Sequence, residues 1–422
     1  MRIFVLCRLM SGFIKSFESG VWSPMGAPAI AKLIEALDQP NVEARIVFSA
    51  KSAQRARRHN GFSNLRLKTI LLNYHGWAGF LGDRIGFYIN EIVHLFWVLI
   101  NIARFKPDVI YVDRSNILIA SCIARLTKIP IVVRILGAPS SLRDVVRNKK
   151  SIYCRLYRWA YRAKYALVIG SMDGTSIKQW FREGLSPLVP RIALLNGVEP
   201  YHQNIKVRSD EKIHILILGR LDEYKRTDLI IRAILNLPSK YLSRCEINVV
   251  GDGDLREALF NMVSDAGLLN RIIFHGAIAH DEIGSFLFNS DIYISMNKVG
   301  NLSNANLEAM QAGLAFIIPE ANPVAHADME THEIISTDMA IRVDNNNLCE
   351  GIQRAICELI DDPARVERMK LASKKCAAKL MTWDERINLE IRMISQVAAG
   401  KMPDMGFPHW DSIFSTETSI NA

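Results

Sequence analysis

Short apolar runs recur along the chain, and each is followed by a polar or glycine-containing turn and then by an amphipathic segment. The clearest runs are residues 2–7, 108–112, 131–136 and 166–170 in the first half, and residues 213–218, 246–250, 272–275, 291–296 and 315–318 in the second. Runs of this length, rich in β-branched residues, are typical of strands buried on both faces. Because helical segments separate them, the pattern predicts parallel strands joined by crossover helices.

This alternation of strands and helices occurs twice. A chain of 422 residues exceeds what one hydrophobic core usually organises, which favours two domains. The polar residues 200–211 are the predicted linker. We therefore expect an α/β fold of two Rossmann-like, doubly wound domains, residues 1–199 and 212–381, with a tail at 399–422 that shows no periodicity.

A polar loop follows the apolar run at 291–296. It contains Asn301, Ser303 and Asn304, which are residue types preferred as helix N-caps. We predict a helix over residues 305–312, ended by the glycine that follows it. A helix that begins at the carboxyl end of a parallel strand directs unpaired N–H groups toward the edge where such sheets bind ligands, which suits a phosphate.

Glu308 lies in or near the first turn of this predicted helix. From there its carboxylate can accept hydrogen bonds from ribose hydroxyls in the same crevice. Taken alone, the segment fits an ordinary strand, loop and helix with a surface glutamate about as well.

A second segment favours the phosphate site. The apolar run at 213–218 leads directly into Gly219, so that Arg220 and Lys225 come just past a strand end. Two cations and one helix N-terminus at the same sheet edge would hold a diphosphate without a metal ion. We predict Arg220 and Lys225 as the catalytic residues.

Four sequence blocks in the second half resemble a known family. They are G-R-L-x-x-x-K at 219–225, V-V-G-D-G at 249–253, F-H-G at 274–276 and L-E-A-M-x-A-G at 307–313. Their order and spacing resemble the nucleotide-sugar half of the retaining glycosyltransferases of family 4, which have the GT-B fold. The first half matches less closely, through K-P-D-V-I-Y-V at 106–112, K-I-P-I-V-V at 128–133 and N-G-V at 196–198.

The resemblance implies two domains that face a cleft, with a final helix at about 383–398 that crosses back to the first domain. It also implies a set of donor-binding residues, which we predict as Gly219, Arg220, Lys225, Gly251, Asn301, Ser303, Asn304, Ala305 and Glu308. Gly20 and Gly26 are candidates for a glycine-containing donor or acceptor loop, in a connection that we read as a long loop over residues 8–26.

The chain departs from the family pattern at two positions. Gly300 stands where the family usually has a glutamate that contacts the donor sugar, eight positions before Glu308. Leu136 or Gly137 stands where a histidine often follows the strand at 131–136. These departures leave sugar selection open but do not affect the predicted diphosphate site.

The charge of the chain is divided unequally. The net charge is +9, but residues 1–200 contain 29 Lys and Arg against 12 Asp and Glu, a charge of +17, whereas residues 201–422 carry −8. A basic first domain indicates an anionic partner, either a polysaccharide or the cytoplasmic face of a membrane. Nucleic acid is not expected, because no recognition motif for it is visible.

Two segments of the first half bear on the membrane alternative. The apolar segment 85–105 is expected to be a packed helix or one that dips into a membrane interface, and it looks too polar and too short to span a bilayer. Residues 142–165 combine many cations with aromatic rings, which fits either a membrane surface or an amphipathic helix with a basic outer face. No signal peptide is apparent, so we expect a cytoplasmic protein.

Metal sites and other catalytic motifs have little support in the sequence. Asp252 and Asp254 form an Asp-x-Asp pair in a strand-to-helix turn, where the turn explains them better than a metal does. The cluster of His326, Asp328, Glu330 and His332 is read as a solvated loop. Seven scattered cysteines show no C-x-x-C spacing, and no P-loop or G-x-S-x-G motif is present. We expect no metal and no cofactor apart from the sugar nucleotide, which is the donor substrate.

These observations favour a retaining, metal-independent glycosyltransferase. It would move a sugar from a nucleoside diphosphate sugar to a glycan or lipid-linked acceptor, as in assembly of a bacterial surface polysaccharide such as lipopolysaccharide. The alternative is a non-catalytic homologue of the same fold that binds nucleotide or glycan as a partner subunit. A sugar-nucleotide epimerase would need an acidic constellation that the sequence does not reveal.

Overall fold

The computed structural model describes the chain except for residues 26, 51–60, 74–82, 149, 200–211 and 405–422. Gly26, the linker at 200–211 and most of the predicted tail therefore lie outside the described residues. The chain forms two compact units. The first comprises Met1–Ser171, Ile177–Leu195 and residues 383–404, and the second comprises Met172–Ser176 and Asn196–Thr382.

The described residues of the first unit are built on a parallel sheet of seven strands. These are β1 (Arg2–Arg8), β2 (Glu43–Ala50), β3 (Lys68–Asn73), β4 (Val109–Asp113), β5 (Ile131–Ile135), β6 (Leu167–Ser171) and β7 (Arg191–Leu194). They lie in the order β3-β2-β1-β4-β5-β6-β7, and every pairing is parallel. The order reverses between β1 and β4, and such a switch point is where open α/β sheets bind ligands.

In the part of the chain that the structure describes, seven helices connect these strands. They are α1 (Ser11–Ser19), α2 (Pro28–Ala36), α3 (Asp83–Phe105), α4 (Ile117–Leu126), α5 (Ser140–Arg147), α6 (Ile152–Tyr161) and α7 (Ile177–Gly184). A short 3-10 turn, Arg114–Asn116, follows β4.

Helix α1 corrects the expectation of a long loop over residues 8–26. Phe13 and Phe17, one turn apart, are fully buried and pack their rings against Phe48 of β2, which favours a helix over a loop. Gly20 ends α1 in the left-handed conformation with φ 71°. Its position is therefore explained by the helix end, which is a different role from the substrate loop that the sequence predicted.

Helix α3 is longer than the sequence reading allowed. It has 23 residues, which corresponds to about 34 Å. Ile85–Phe105 is long and apolar enough to cross a membrane by length and composition, and 28% of its most apolar window is buried inside the protein. The expectation that this helix is too short to span was therefore wrong.

In the second unit, the residues outside the gaps given above form a parallel sheet of six strands. These are β8 (Ile213–Leu218), β9 (Cys245–Val250), β10 (Ile272–Gly276), β11 (Ile292–Ile294), β12 (Ala315–Pro319) and β13 (Ala340–Val343). Their order is β10-β9-β8-β11-β12-β13, the doubly wound order of a Rossmann sheet, with a switch point between β8 and β11. The predicted α/β fold with two parallel sheets is confirmed.

Among the described residues, eight helices belong to the second unit. They are α8 (Thr227–Leu235), α9 (Ser239–Leu242), α10 (Arg256–Asp265), α11 (Ile283–Phe288), α12 (Asn304–Ala312), α13 (Met329–Ile334), α14 (Leu348–Asp361) and α15 (Pro363–Ala377). The core between the sheet and its helices is almost entirely aliphatic, with residues such as Ile215, Ile247 and Ile356 inaccessible to solvent.

The last helix, α16 (Trp383–Ala398), lies with the first unit. Its Glu390 is fully buried and accepts hydrogen bonds from the Tyr111 hydroxyl, at 2.6 Å, and from the Arg386 guanidinium, at 2.7 Å. Arg134 of β5 lies 3.7 Å from the same carboxylate. Burial alone would raise the pKa of Glu390, but the two guanidinium groups outweigh it and hold that pKa below its ordinary value.

Candidate functional site

The carboxyl end of β8 brings together three of the predicted site residues. Gly219, Arg220 and Lys225 line a small cavity of about 10 Å³ together with the chain just past β11, residues 295–297. This cavity lies at the switch point of the second sheet, the position at which open α/β sheets usually bind ligands.

Lys225 is the more buried of the two cations. Burial lowers the pKa of its ammonium group, and the neighbouring Arg220 lowers it further, while Asp222 acts in the opposite direction. The Lys225 backbone N–H donates to Asp222 Oδ1 at 3.0 Å, so the turn itself holds the residue in place. A buried ammonium group gains more from an anionic ligand than an exposed one does, since less water competes for it.

Arg220 is held loosely by comparison. Its side chain is 76% exposed, and one guanidinium nitrogen lies 3.1 Å from Asp222 Oδ2. An exposed pair of this kind contributes about 0–1 kcal/mol to stability. Arg220 can therefore turn from Asp222 to a phosphate at little cost.

Two glycines of the V-V-G-D-G block pack closely against the backbone of this turn. Gly251 has φ +139°, and a Cβ at that position would lie 1.8 Å from the carbonyl oxygen of Gly219. A Cβ on Gly253 would lie 2.5 Å from the carbonyl oxygen of Leu221. Gly251 thus allows the two strand ends to touch, which explains its presence through backbone packing beside the cavity.

Helix α12 begins at the next strand end, as predicted, and ends at Gly313 in the left-handed conformation. Ser303 occupies the N-cap position, but its hydroxyl donates to Asn306 Oδ1 at 2.6 Å and makes no capping bond to the helix. Asn304 Oδ1 accepts from the Asn196 amide at 2.7 Å. Ala305 is partly exposed in the first turn. The N–H groups of this turn are not used by the cap side chain and suit an anion.

Asn301 has a structural role that differs from the predicted donor contact. It is fully buried, and its Oδ1 accepts from the Ser295 hydroxyl and the Asn297 N–H. Its amide donates to the Asn297 carbonyl and to Asp328 Oδ2, while its backbone N–H donates to Asp328 Oδ1 at 2.6 Å. The side chain is therefore occupied in holding the loop that precedes α12.

Asp328 corrects the expectation of a solvated loop. It is buried at the start of α13, and Glu330 on that helix is buried too. Burial raises the pKa of Asp328, although hydrogen bonds from Asn301 and Thr331 partly oppose this. In the described part of the chain, no group of three or more His, Cys, Asp or Glu side chains is placed to hold a metal ion.

Glu308 lies on α12 with its side chain buried. Its Oε1 is 3.1 Å from Nε2 of His280, whose ring is 58% exposed. The predicted contact to a ribose would share this carboxylate with His280. The sequence did not single out His280, because a lone histidine in a loop carries no distinguishing pattern.

The structure around Gly300 does not accommodate the glutamate that the resembling family usually has at this position. Gly300 has φ +87°, and a Cβ would lie 2.9 Å from the carbonyl oxygen of Asp173. That carbonyl belongs to Met172–Ser176, which packs on this loop through a hydrogen bond from Leu302 N–H to Asp173 O. The same segment contacts the start of α13 through a hydrogen bond from Asp328 N–H to Gly174 O. The sequence reading placed residues 172–176 in the first domain and missed this contact.

The second half of the chain matches a family profile. Residues 199–375 match the family described as Glycosyl transferases group 1. Sucrose-phosphate synthase from Thermosynechococcus elongatus has a similar structure, with a TM-score of 0.70 at 14% identity over 95% of this chain and 100% of that one. The chain has the GT-B fold. HepE of Anabaena, solved in complex with UDP, shares this GT-B architecture with a TM-score of 0.64, at 14% identity over 95% of this chain and all of its own.

Curated relatives of this GT-B chain match in sequence over shorter stretches. An uncharacterized glycosyltransferase of Methanocaldococcus jannaschii is 32% identical over 42% of this chain and 44% of its own length. The sulfoquinovosyl transferase of Arabidopsis thaliana is 24% identical over 56% of this chain and 47% of its own. A lipopolysaccharide core biosynthesis glycosyltransferase of Rhizobium meliloti is 27% identical over 35% and 39%. The chain thus matches less than half the length of these relatives.

Proposed function

We propose that the protein is a retaining glycosyltransferase that takes a sugar from a nucleoside diphosphate sugar without a metal ion. The observation that carries this proposal is the pair of cations at the end of β8, where Lys225 and Arg220 meet the chain past β11 around a small cavity. The N-terminus of α12 follows within the same polar loop. The HepE structure with UDP supports a nucleoside diphosphate donor.

The difficult step is departure of the diphosphate. The bond between the anomeric carbon and the diphosphate oxygen breaks, and the electron pair leaves with the diphosphate. The acceptor hydroxyl bonds to the same carbon and on the same face, and its proton passes to the departing diphosphate oxygen. Lys225 and Arg220 stabilise the negative charge that develops, and each hydrogen bond to a charged group contributes about 1.5–3 kcal/mol.

A Lys225→Ala variant tests this role. Because the ammonium group acts on charge that develops in the transition state, we expect turnover to fall about a hundredfold. The measurement is release of nucleoside diphosphate from any donor that the wild-type protein accepts. Lys240→Ala, an exposed lysine on α9, is the matched control and should retain wild-type turnover. Near wild-type turnover in Lys225→Ala would contradict the proposal.

The alternative is a GT-B protein that binds nucleotide or glycan but does not transfer. Gly300 motivates it, because the donor-contacting glutamate of the resembling family is missing. Calorimetry with UDP and GDP, followed by donor hydrolysis, separates the two functions. Nucleotide binding without turnover on a panel of donors and acceptors would favour the alternative.

We propose further that the protein works at the cytoplasmic face of a membrane, in assembly of a lipid-linked or free surface glycan. The charge of +17 on residues 1–200 supports this location. Each Lys or Arg near an anionic surface contributes about 1 kcal/mol, and salt weakens the attraction. Flotation with anionic and with neutral liposomes should show binding to the anionic ones at low salt. If the protein stays unbound there, the basic charge serves a soluble anionic acceptor instead.

A further inference from the structure

A large pocket lies wholly within the first unit, at the carboxyl ends of β1 and β4. Its volume is about 1110 Å³. Arg8 is the last residue of β1, Arg114 follows β4, and Lys150 precedes α6, and all three line the pocket. The described lining residues include no aspartate or glutamate. This position is the switch point of the first sheet, the counterpart of the nucleotide edge in the second.

The three cationic groups are available to a ligand. In the described part of the chain, no carboxylate forms an ion pair with Arg8, Arg114 or Lys150. The nearby carboxylate of Asp113 accepts from the Arg8 backbone N–H at 2.9 Å and from the Asn116 amide at 2.8 Å. Unpaired cations that converge on a pocket attract a phosphate, to which arginine can donate two hydrogen bonds at once.

Aromatic rings form the rest of the lining. Phe87 and Tyr88 enter from α3, and Tyr153 and Tyr157 enter from α6. The two tyrosine rings lie 4.4 Å apart at 36°. Burial raises the pKa of Tyr157, so its hydroxyl stays protonated and can donate a hydrogen bond. Aromatic faces with polar edges suit a sugar ring, which has both C–H faces and hydroxyls.

Helix α3 buries polar side chains and exposes apolar ones. Glu91 and His94 are buried, the latter with 1% exposure, although both have interaction partners. The opposite face is apolar and exposed, and it consists of Ile85, Ile92, Val93, Phe96 and Ile100, with Phe96 63% exposed. A surface helix normally shows the reverse arrangement. Ile152, at the edge of the pocket, is 81% exposed, so apolar surface reaches the pocket mouth.

We propose that this pocket binds the phosphate and the first sugar of a lipid-linked saccharide acceptor, with the hydrocarbon chain lying along the outer face of α3. The inference rests on the proposed transfer function and chooses between its two acceptor classes. The cations select the phosphate, the rings contact the sugar, and the apolar face of α3 contacts the hydrocarbon chain and the membrane that contains it. A soluble anionic glycan would explain the cations but not the exposed apolar face.

Three probes test the two halves of the ligand with the full-length protein. They are farnesyl phosphate, farnesol, which lacks the phosphate, and inorganic phosphate, which lacks the chain. We expect farnesyl phosphate to bind at least about tenfold more tightly than either of the others, since only it reaches both the cations and the apolar face. Equal binding of farnesol would overturn the phosphate contact, and equal binding of inorganic phosphate would overturn the hydrocarbon contact.

Two sets of variants locate the site. Arg114→Ala and Lys150→Ala should each weaken farnesyl phosphate binding about tenfold. Lys128→Ala, which changes an exposed lysine near the amino ends of the strands, should not weaken it. The double variant Ile92→Ser/Phe96→Ser should weaken farnesyl phosphate binding and flotation with phosphatidylglycerol vesicles. Unchanged binding in the first set would overturn the pocket assignment, and unchanged binding in the second would overturn the role of α3.

Calorimetry with UDP and GDP on the same variants keeps this inference separate from the proposed function. If neither nucleotide binds to the wild-type protein, the proposed donor site fails, whatever the lipid probes show. If a nucleotide binds equally to all variants and farnesyl phosphate shows no preference over farnesol, only the acceptor inference fails.

Discussion

The two units share a parallel doubly wound sheet but use charged residues differently. In the first unit Arg134, Arg386 and Glu390 are sealed inside and tie α16 to the sheet. In the second unit, by contrast, Arg220 is exposed, and Lys225 lines a small cavity at the strand edge. The first arrangement serves the structure, and the second leaves its positive charge available to a ligand.

This difference illustrates that the same kind of ion pair contributes differently when it is buried and when it is exposed to water. A buried ion pair is costly to break, since removing one partner leaves an uncompensated charge without water. An exposed pair such as Arg220 with Asp222 stabilises little and can exchange partners. A mutation in the first unit's network should therefore change folding, and one at the second unit's edge should change binding.

The largest effect is expected for Glu390→Ala. It leaves Arg134 and Arg386 buried without their carboxylate, so the free energy of unfolding should fall by about 3–5 kcal/mol. The measurement is urea unfolding of the full chain. Arg392→Ala, an exposed arginine on the same helix, is the control and should stay within about 0.5 kcal/mol of wild type. A loss below 1 kcal/mol for Glu390→Ala would show that the network is not what holds α16.

A smaller effect is expected for Gly251→Ala. The new Cβ would meet the Gly219 carbonyl oxygen at 1.8 Å, which must push the two strand ends apart at the cavity. We expect a loss of roughly 2–4 kcal/mol of stability together with weaker UDP or GDP binding.

Gly267→Ala is the control for that substitution. Gly267 also has a positive φ, of +68°, but nothing lies within 4 Å of its new Cβ. It should lose only about 1–2 kcal/mol and bind nucleotide normally. Equal effects on nucleotide binding in the two variants would contradict the packing role of Gly251.

The smallest effect concerns pH. Since burial lowers the pKa of Lys225, this residue loses its proton at a lower pH than an exposed lysine would. In the proposed function the diphosphate binds the protonated form, so nucleotide affinity should fall as pH rises through that pKa, by about tenfold per pH unit at most. Lys225→Arg should remove the decline, because a guanidinium group does not titrate in this range. The check is calorimetry across alkaline pH, and an identical decline in both proteins would assign it to another group.

Sequence alone determined the parallel sheets and the placement of Arg220 and Lys225 at a strand end. Strands that are buried on both faces of a parallel sheet are continuously apolar, as in 213–218. They can therefore be recognised from the sequence without knowledge of their tertiary contacts. Residues that act at strand ends follow those runs directly, which is why Arg220, Lys225 and the start of α12 could be located. Gly313 ends that helix for a reason that is likewise local.

Tertiary structure decided the features that depend on which side of an element is buried. The sequence showed an apolar segment at 85–105, but only packing showed that Glu91 and His94 lie inside while Phe96 lies outside. Asn301 was selected as a donor contact by its position, and its partner Asp328 is 27 residues away in the chain. Hydrogen bonds and packing contacts of this kind involve residues that are distant in sequence, whereas helix and strand periodicity depends only on neighbouring residues. The fold could therefore be predicted from the sequence, and the roles of individual polar residues could not.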